Sequence, residues 1–151
     1  MQKKYNKGFT LIEVLVVIGI IAILAAIVVV AINPARQFAQ ANNSQRWSNV
    51  NAVLNAVHQY AVDNRGAMPA GLTNTAQSIC KSGVASTTCA TNSLIYLDGT
   101  LVPTYIVSIP FDPITGTGAM NSGYTIATTT GNRIVVSAPG AELGTPISVS
   151  R

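Results

Sequence analysis

Glu13 is the residue whose chemistry most constrains this 151-residue chain. It lies near the start of KGFTLIEVLVVIGIIAILAAIVVVAI, Lys7 to Ile32, and no residue from Val14 to Ile32 carries a charge. A carboxylate at the centre of a membrane helix costs roughly 2.5–3.5 kcal/mol, less near the interface, so it calls for a partner. No Lys, Arg or His lies within Phe9–Ile32 to supply one. A cut between Gly8 and Phe9 would, by creating a new α-amino group. The second reactive set is Cys80 and Cys89, the only cysteines. In an exported chain, two cysteines this close read as a local disulfide, which would add on the order of 2–3 kcal/mol by closing a short loop. The alternative is a pair of reduced thiols in a flexible loop.

Other chemistry is thin. His58 is the single histidine and there is no third cysteine, so a zinc site is not expected. His58 and Asp63 are five positions apart, a poor spacing for one helix face, and His58 reads as a solvated or packing residue rather than a base. The five carboxylates show no pairing that suggests acid–base work. Neither a G-x-S-x-G elbow nor a phosphate loop occurs, so no enzyme activity, cofactor or metal is expected. Charged residues make up 9% of the chain, against about 25% in typical soluble domains. The formal charge of +4 owes most to Lys3, Lys4 and Lys7; without them six basic residues face five acidic ones. Arg36, Arg46, Arg65, Lys81, Arg133 and Arg151 are scattered, which gives no phosphate-binding surface, and no nucleic acid partner is expected.

These residues need elements to hold them. At about 1.5 Å per residue, a Phe9–Ile32 helix can cross a ~30 Å hydrocarbon core. The lysines before it place the N-terminus in the cytoplasm and the rest outside. A cleavable secretory signal ending near Ala31 competes with this reading, but its apolar core would exceed the usual ~7–15 residues and would leave Glu13 unexplained. Gly19 is a soft point in the helix, and Asn33-Pro34 predicts a kink or brief break. Trp47, Val50, Val53, Leu54, Val57, Tyr60 and Ala61 recur at helical spacing, with Asn49, Asn51, Asn55, Gln59 and Asp63 on the other faces. Gly66 suits the C′ position of that helix and Pro69 blocks its continuation. Ala67–Ser93 reads as loop. Leu94–Val107 reads as a short helix or turn followed by an extended run, and Ser108–Pro113 as a proline-bounded turn. Tyr124–Thr128 and Arg133–Ser137 flank a turn at Gly131-Asn132, a hairpin signal, and Ile147–Ser150 adds an edge strand. The expected fold is α+β: a long N-terminal helix, half transmembrane and half amphipathic, packed against a small antiparallel sheet.

Gly8-Phe9-Thr10-Leu11-Ile12-Glu13 after a short basic leader resembles the N-terminal signal of type IV pilins and pseudopilins. Tyr60–Asn64 with Pro69, and Ile109-Pro110-Phe111-Asp112-Pro113, are similar to the helix end and the turn into the sheet of major pseudopilins of type II secretion. The resemblance implies a pilin-like fold and four segments: a leader peptide at 1–8, a transmembrane and filament-core helix at 9–32, an amphipathic helix at 33–65, and a globular head at 66–151. It implies a prepilin cleaved after Gly8 by a prepilin peptidase and N-methylated at Phe9. Glu13 would then neutralise the Phe9 ammonium of a stacked subunit in a helical filament, a type IV pilus or a type II secretion-like pseudopilus. The implied partners are other copies of the chain, the peptidase, an assembly platform, and membrane lipid before assembly. The implied location is the cytoplasmic membrane, single-pass with the N-terminus inside, then the cell surface or a periplasmic pseudopilus. The family's usual helix-breaking proline falls where this chain has Val30, one turn before Pro34. Relatives of this type often bind calcium through acidic residues near the C-terminus, where this chain has only Glu142, with Asp98 and Asp112 upstream. From a different class, the alternative is a single-span anchored binding module that never polymerises.

Overall fold

The computed structural model describes residues 8–118 and 120–151. Lys3, Lys4 and Lys7 therefore lie outside the described residues. The chain divides into two compact units, up to Phe38 and from Ala39 onward.

The first unit is dominated by helix α1, Leu11–Ile32, whose N-cap is Thr10. None of its residues is buried, and its length and composition suffice to cross a membrane. Gly19 does not behave as the soft point the sequence suggests, because α1 runs through it without a break. Glycine keeps both backbone hydrogen-bonding groups, and its cost of about 1 kcal/mol is spread over a long helix. The interruption falls one residue beyond Ile32. Asn33 is left-handed at φ 48°, and α2 (Pro34–Asp63) starts at once. Asn33 tolerates this region better than most residues, and its carbonyl accepts from the N–H of Arg36 at 3.1 Å and of Gln37 at 3.4 Å. Its side-chain Oδ1 also accepts from Arg36 N–H at 3.3 Å. Pro34 occupies the first helical position, where a missing N–H loses no bond.

In the second unit, α2 buries Val50, Val53, Leu54, Ala56, Val57 and Ala61. Two residues of the expected stripe sit at its margin. Trp47 is 40% exposed, and Tyr60 is half-buried, edge-on to Tyr105 at 5.7 Å. Asn49, expected on an outer face, is instead buried and donates to the Tyr124 hydroxyl at 2.8 Å. The helix closes with Arg65 at φ 57° in the C′ position. Gly66, one place later than expected, donates its N–H to the Ala61 carbonyl at 2.7 Å.

A four-stranded antiparallel sheet completes this unit, in the order β1 (Gln77–Cys80), β2 (Asn121–Thr128), β3 (Ile134–Ala138), β4 (Ile147–Ser150). Alternation along β2 and β3 sends Tyr124, Ile126, Ile134 and Val136 into one core with the α2 stripe, Ile79, Leu97, Leu101 and Ile109. The hairpin turn uses Gly131 at φ 113° and Asn132 at φ 62°. The sequence reading of Ala67–Ser93 as loop misses β1 and the short helix α3, Ser86–Thr91. Gln-Ser-Ile-Cys offers only two adjacent buried residues, so it carries no alternation to read. Beyond it, Ile95 bridges Ile79 in parallel, and α4 (Asp98–Leu101) follows, the reverse of the expected order. Cys80 and Cys89 form a disulfide, which removes the two-thiol alternative.

Full burial of Leu54 against partial exposure of Trp47 makes a contrast that urea unfolding of the full chain in detergent will measure. Leu54→Ala is expected to cost about 2–5 kcal/mol through lost transfer energy and a cavity. Trp47→Ala is expected to cost clearly less. Equal losses would contradict the boundaries of this core.

Candidate functional site

The first candidate site lies at the start of α1. A helix N-terminus leaves its first N–H groups without partners, and Ser or Thr followed three residues later by Glu supplies acceptors in both directions. Thr10 and Glu13 do this. The Glu13 N–H donates to Thr10 Oγ1 at 3.3 Å. Glu13 Oε2 accepts from the Thr10 N–H at 2.7 Å and from its hydroxyl at 2.8 Å. The capping box was legible in the Thr10-x-x-Glu13 spacing but is not needed to find the acid, so sequence reasoning passes over it. Phe9 precedes the cap and is 89% exposed. Gly8, Phe9 and Glu13 thus sit together at one helix end, with Glu13 Oε1 free of any protein donor among the described residues. Gly19 and Pro34 lie well away along the chain, and the Cys80–Cys89 bond belongs to the second unit.

A second cluster joins residues that the sequence gave no reason to associate. Arg46, one of the scattered basic residues of the sequence, is fully buried on α2. Its Nε donates to Asp112 Oδ2 at 2.5 Å, its Nη2 to Asp112 Oδ1 at 3.2 Å, and its Nη1 to Glu142 Oε2 at 2.7 Å. Two of the five carboxylates therefore share one guanidinium. Asn42 and Asn43 extend the same helix face. Asn42 donates to Glu142 Oε2 at 3.0 Å, and Asn43 exchanges two bonds with the Glu142 backbone, at 2.8 and 2.9 Å.

The proline-bounded turn positions Asp112. Its Oδ1 accepts the N–H groups of Ile114 at 2.9 Å and Thr115 at 2.7 Å, and its own N–H donates to Ser122 at 2.7 Å. This turn leaves no room for side chains beside it. A Cβ on Gly116 would clash with the Ser122 carbonyl oxygen, and one on Gly123 would meet Asp112 Cβ at 2.6 Å. Burial pushes the Asp112 carboxyl up, but the hydrogen bonds from Arg46 and from the Thr115 and Ile114 N–H groups outweigh it. The result is a pKa of about 2. Glu142 is also held below the usual carboxylate range, first by Arg46 and then by Asn42.

This arrangement is a structural clamp and does not fit calcium. Arg46 already neutralises Asp112 and Glu142, while Asp98 is engaged with Ser82 and the Gly83 N–H. No group of three His, Cys, Asp or Glu gathers among the described residues, where calcium would want about six to eight oxygens. His58 and Asp63 line one open groove of about 570 Å³ with Tyr105 and Thr104. No hydrogen bond joins the two.

A long apolar helix capped by Thr10 and Glu13, followed by an amphipathic helix and a four-stranded antiparallel sheet, defines an α+β chain of pilin-like architecture. Residues 3–29 match the family model described as the prokaryotic N-terminal methylation motif. Type II secretion system core protein G of Aeromonas hydrophila is 41% identical over 64 residues, which cover 42% of this chain and 43% of that protein. The match thus spans less than half of the relative's length. No solved structure gives a significant match. The motif match and the relative support the resemblance of this chain to type IV pilins and pseudopilins.

Removing Arg46 leaves a buried carboxylate without its counter-ion, and Arg46→Met is expected to destabilise the head by about 3–5 kcal/mol near neutral pH. The folded-state pKa of Asp112 lies below its ordinary value of 3.8, so its contribution is present above about pH 4 and lost as pH falls towards 2. Urea midpoints across this range should show the gap between wild type and variant narrowing on acidification. A gap independent of pH would contradict the ion pair as its source.

Proposed function

We propose that this chain is a prepilin, the precursor of a structural subunit. It waits in the membrane with residues 1–8 as leader, is cut between Gly8 and Phe9, and is N-methylated at Phe9. Residues 9–32 then pass from lipid into the core of a helical filament, residues 33–65 continue as the amphipathic helix, and residues 66–151 form the head. The name of the Aeromonas relative favours a secretion-type pseudopilus over a surface pilus.

The observation that carries this reading is the position of Glu13. It is the only charged residue in α1, it sits in the first turn beside Phe9, and one of its oxygens is free of protein donors among the described residues. Association of membrane helices gains little from apolar surface alone, since lipid is equally apolar. A carboxylate at the helix start changes that balance, because the Phe9 ammonium of a stacked neighbour can pair with it. Charge pairing between Glu13 of one copy and Phe9 of another sets the axial register and penalises slipped stacking. In the second unit the buried charges are already paired, Arg46 on α2 with Asp112 and Glu142.

In cells carrying the assembly machinery, Glu13→Ala is expected to reach the membrane fraction at wild-type level. Its incorporation into sheared or cross-linked filaments should fall at least ~10-fold, the scale of one lost charge pairing of about 1.4 kcal/mol or more per subunit. Wild-type incorporation would count against the role given to the acid. Loss from the membrane fraction would make Glu13 a matter of insertion, contrary to this account.

A further inference from the structure

The disulfide has two unlike ends. Cys80 closes β1, is 1% exposed, and its N–H donates to the Ile95 carbonyl at 2.9 Å. It belongs to the sheet. Cys89 lies in α3, a helix of only six residues without a side-chain cap, and is the only buried residue between Lys81 and Leu94.

The start of this excursion is tied to the body: the Ser82 hydroxyl bonds Asp98 and accepts the Ile109 N–H, and the Gly83 N–H reaches Asp98. Among the described residues, the covalent and hydrogen-bonded ties of Val84 to Ser93 beyond neighbouring residues are the sulfur bridge and one contact from Asn92 to the Met120 sulfur at 3.4 Å. So short a helix has little stability of its own. Without the S–S bond, residues 84–93 lose their main anchor. β1 keeps its pairing with β2 and its bridge to Ile95.

We propose that Cys89 is the entry thiol and Cys80 the resolving thiol when the head is oxidised by a disulfide-bearing oxidant outside the cytoplasm, and that the bond then fastens residues 84–93 as a flap. In the reduced head the flap swings free and presents Cys89, while Cys80 stays held in β1 by its pairing with β2 and its N–H bond to Ile95. The Cys89 thiolate attacks one sulfur of the oxidant's disulfide and forms a mixed disulfide, releasing one oxidant thiolate. The Cys80 thiolate then attacks Cys89 Sγ, forming the protein bond and releasing the second thiolate. The two protons lost by the cysteines balance the two oxidant thiols formed, and one two-electron oxidation matches one reduction. The sheet can therefore close before the bond forms, and oxidation becomes the last step of head folding. This inference does not depend on filament assembly.

The test uses the full chain in mild detergent, reduced and freed of reductant. A brief native pulse of iodoacetamide, read by peptide mass spectrometry, should label Cys89 at least ~10-fold faster than Cys80, with the difference lost in urea. Equal native labelling, or faster labelling of Cys80, would overturn the assignment. With oxidised glutathione as oxidant, Cys80→Ser should form a mixed disulfide at Cys89 at least ~10-fold faster than Cys89→Ser forms one at Cys80. Amide exchange separates a flap from a general staple. Reduction of the wild type should raise exchange in residues 84–93 and leave β2 and β3 unchanged, whereas a rise throughout the sheet, or none in the flap, would refute the flap.

Discussion

A helix of 22 residues, with no buried position and one carboxylate in its first turn, sets the terms for this protein. Its apolar surface needs a medium other than water, and the chain provides two distinct solutions in sequence order. The apolar part has the length and composition to cross a membrane. The part from Ala39 onward buries one stripe beneath a sheet and leaves a neutral, amide-rich surface elsewhere. Between them stands Asn33, a single left-handed residue that ends one helix while its carbonyl and side chain begin the next. Little backbone hydrogen bonding is forfeited at this change of environment.

Charge is used sparingly and for position. Glu13 is held at the helix start by the backbone and hydroxyl of Thr10, which fixes the carboxylate without neutralising it. In the second unit, Arg46 neutralises Asp112 and Glu142 together and so ties α2 to the turn before β2 and to the loop before β4. Buried ion pairs are weak sources of net stability but strongly penalise the wrong arrangement. Here the penalty falls on any register of α2 that separates Arg46 from the Asp112 turn. The small glycines around that turn serve the same end, since a Cβ at Gly116 or Gly123 would push it out of reach.

What could be read in the sequence followed from how local the signal was. The apolar span, Glu13 within it, the α2 stripe and the β2–β3 hairpin each show themselves inside a short window, and the structure places them there. Arg46 did not, because its partners lie 66 and 96 positions away, and a lone arginine on a helix usually faces water. Asn49 misled for the same reason: its partner, the Tyr124 hydroxyl, arrives with the sheet. β1 is a four-residue strand with no alternation, made a strand by its neighbours rather than by its composition. Gly66 was displaced by one position because Arg65 accepts the left-handed conformation usually left to glycine.

The account rests on a processed N-terminus, and mass spectrometry of the terminal peptide from native envelope or filament material tests it most directly. The prediction is a chain beginning at Phe9 and carrying an N-methyl group. Such a terminus places a cation beside the one acid of α1, as the stacking of copies requires. A chain beginning at Met1 or Gln2 would make α1 a plain anchor and leave Glu13 without its partner. One beginning near Ala31 would make the span a discarded export signal, and either result would contradict the filament reading.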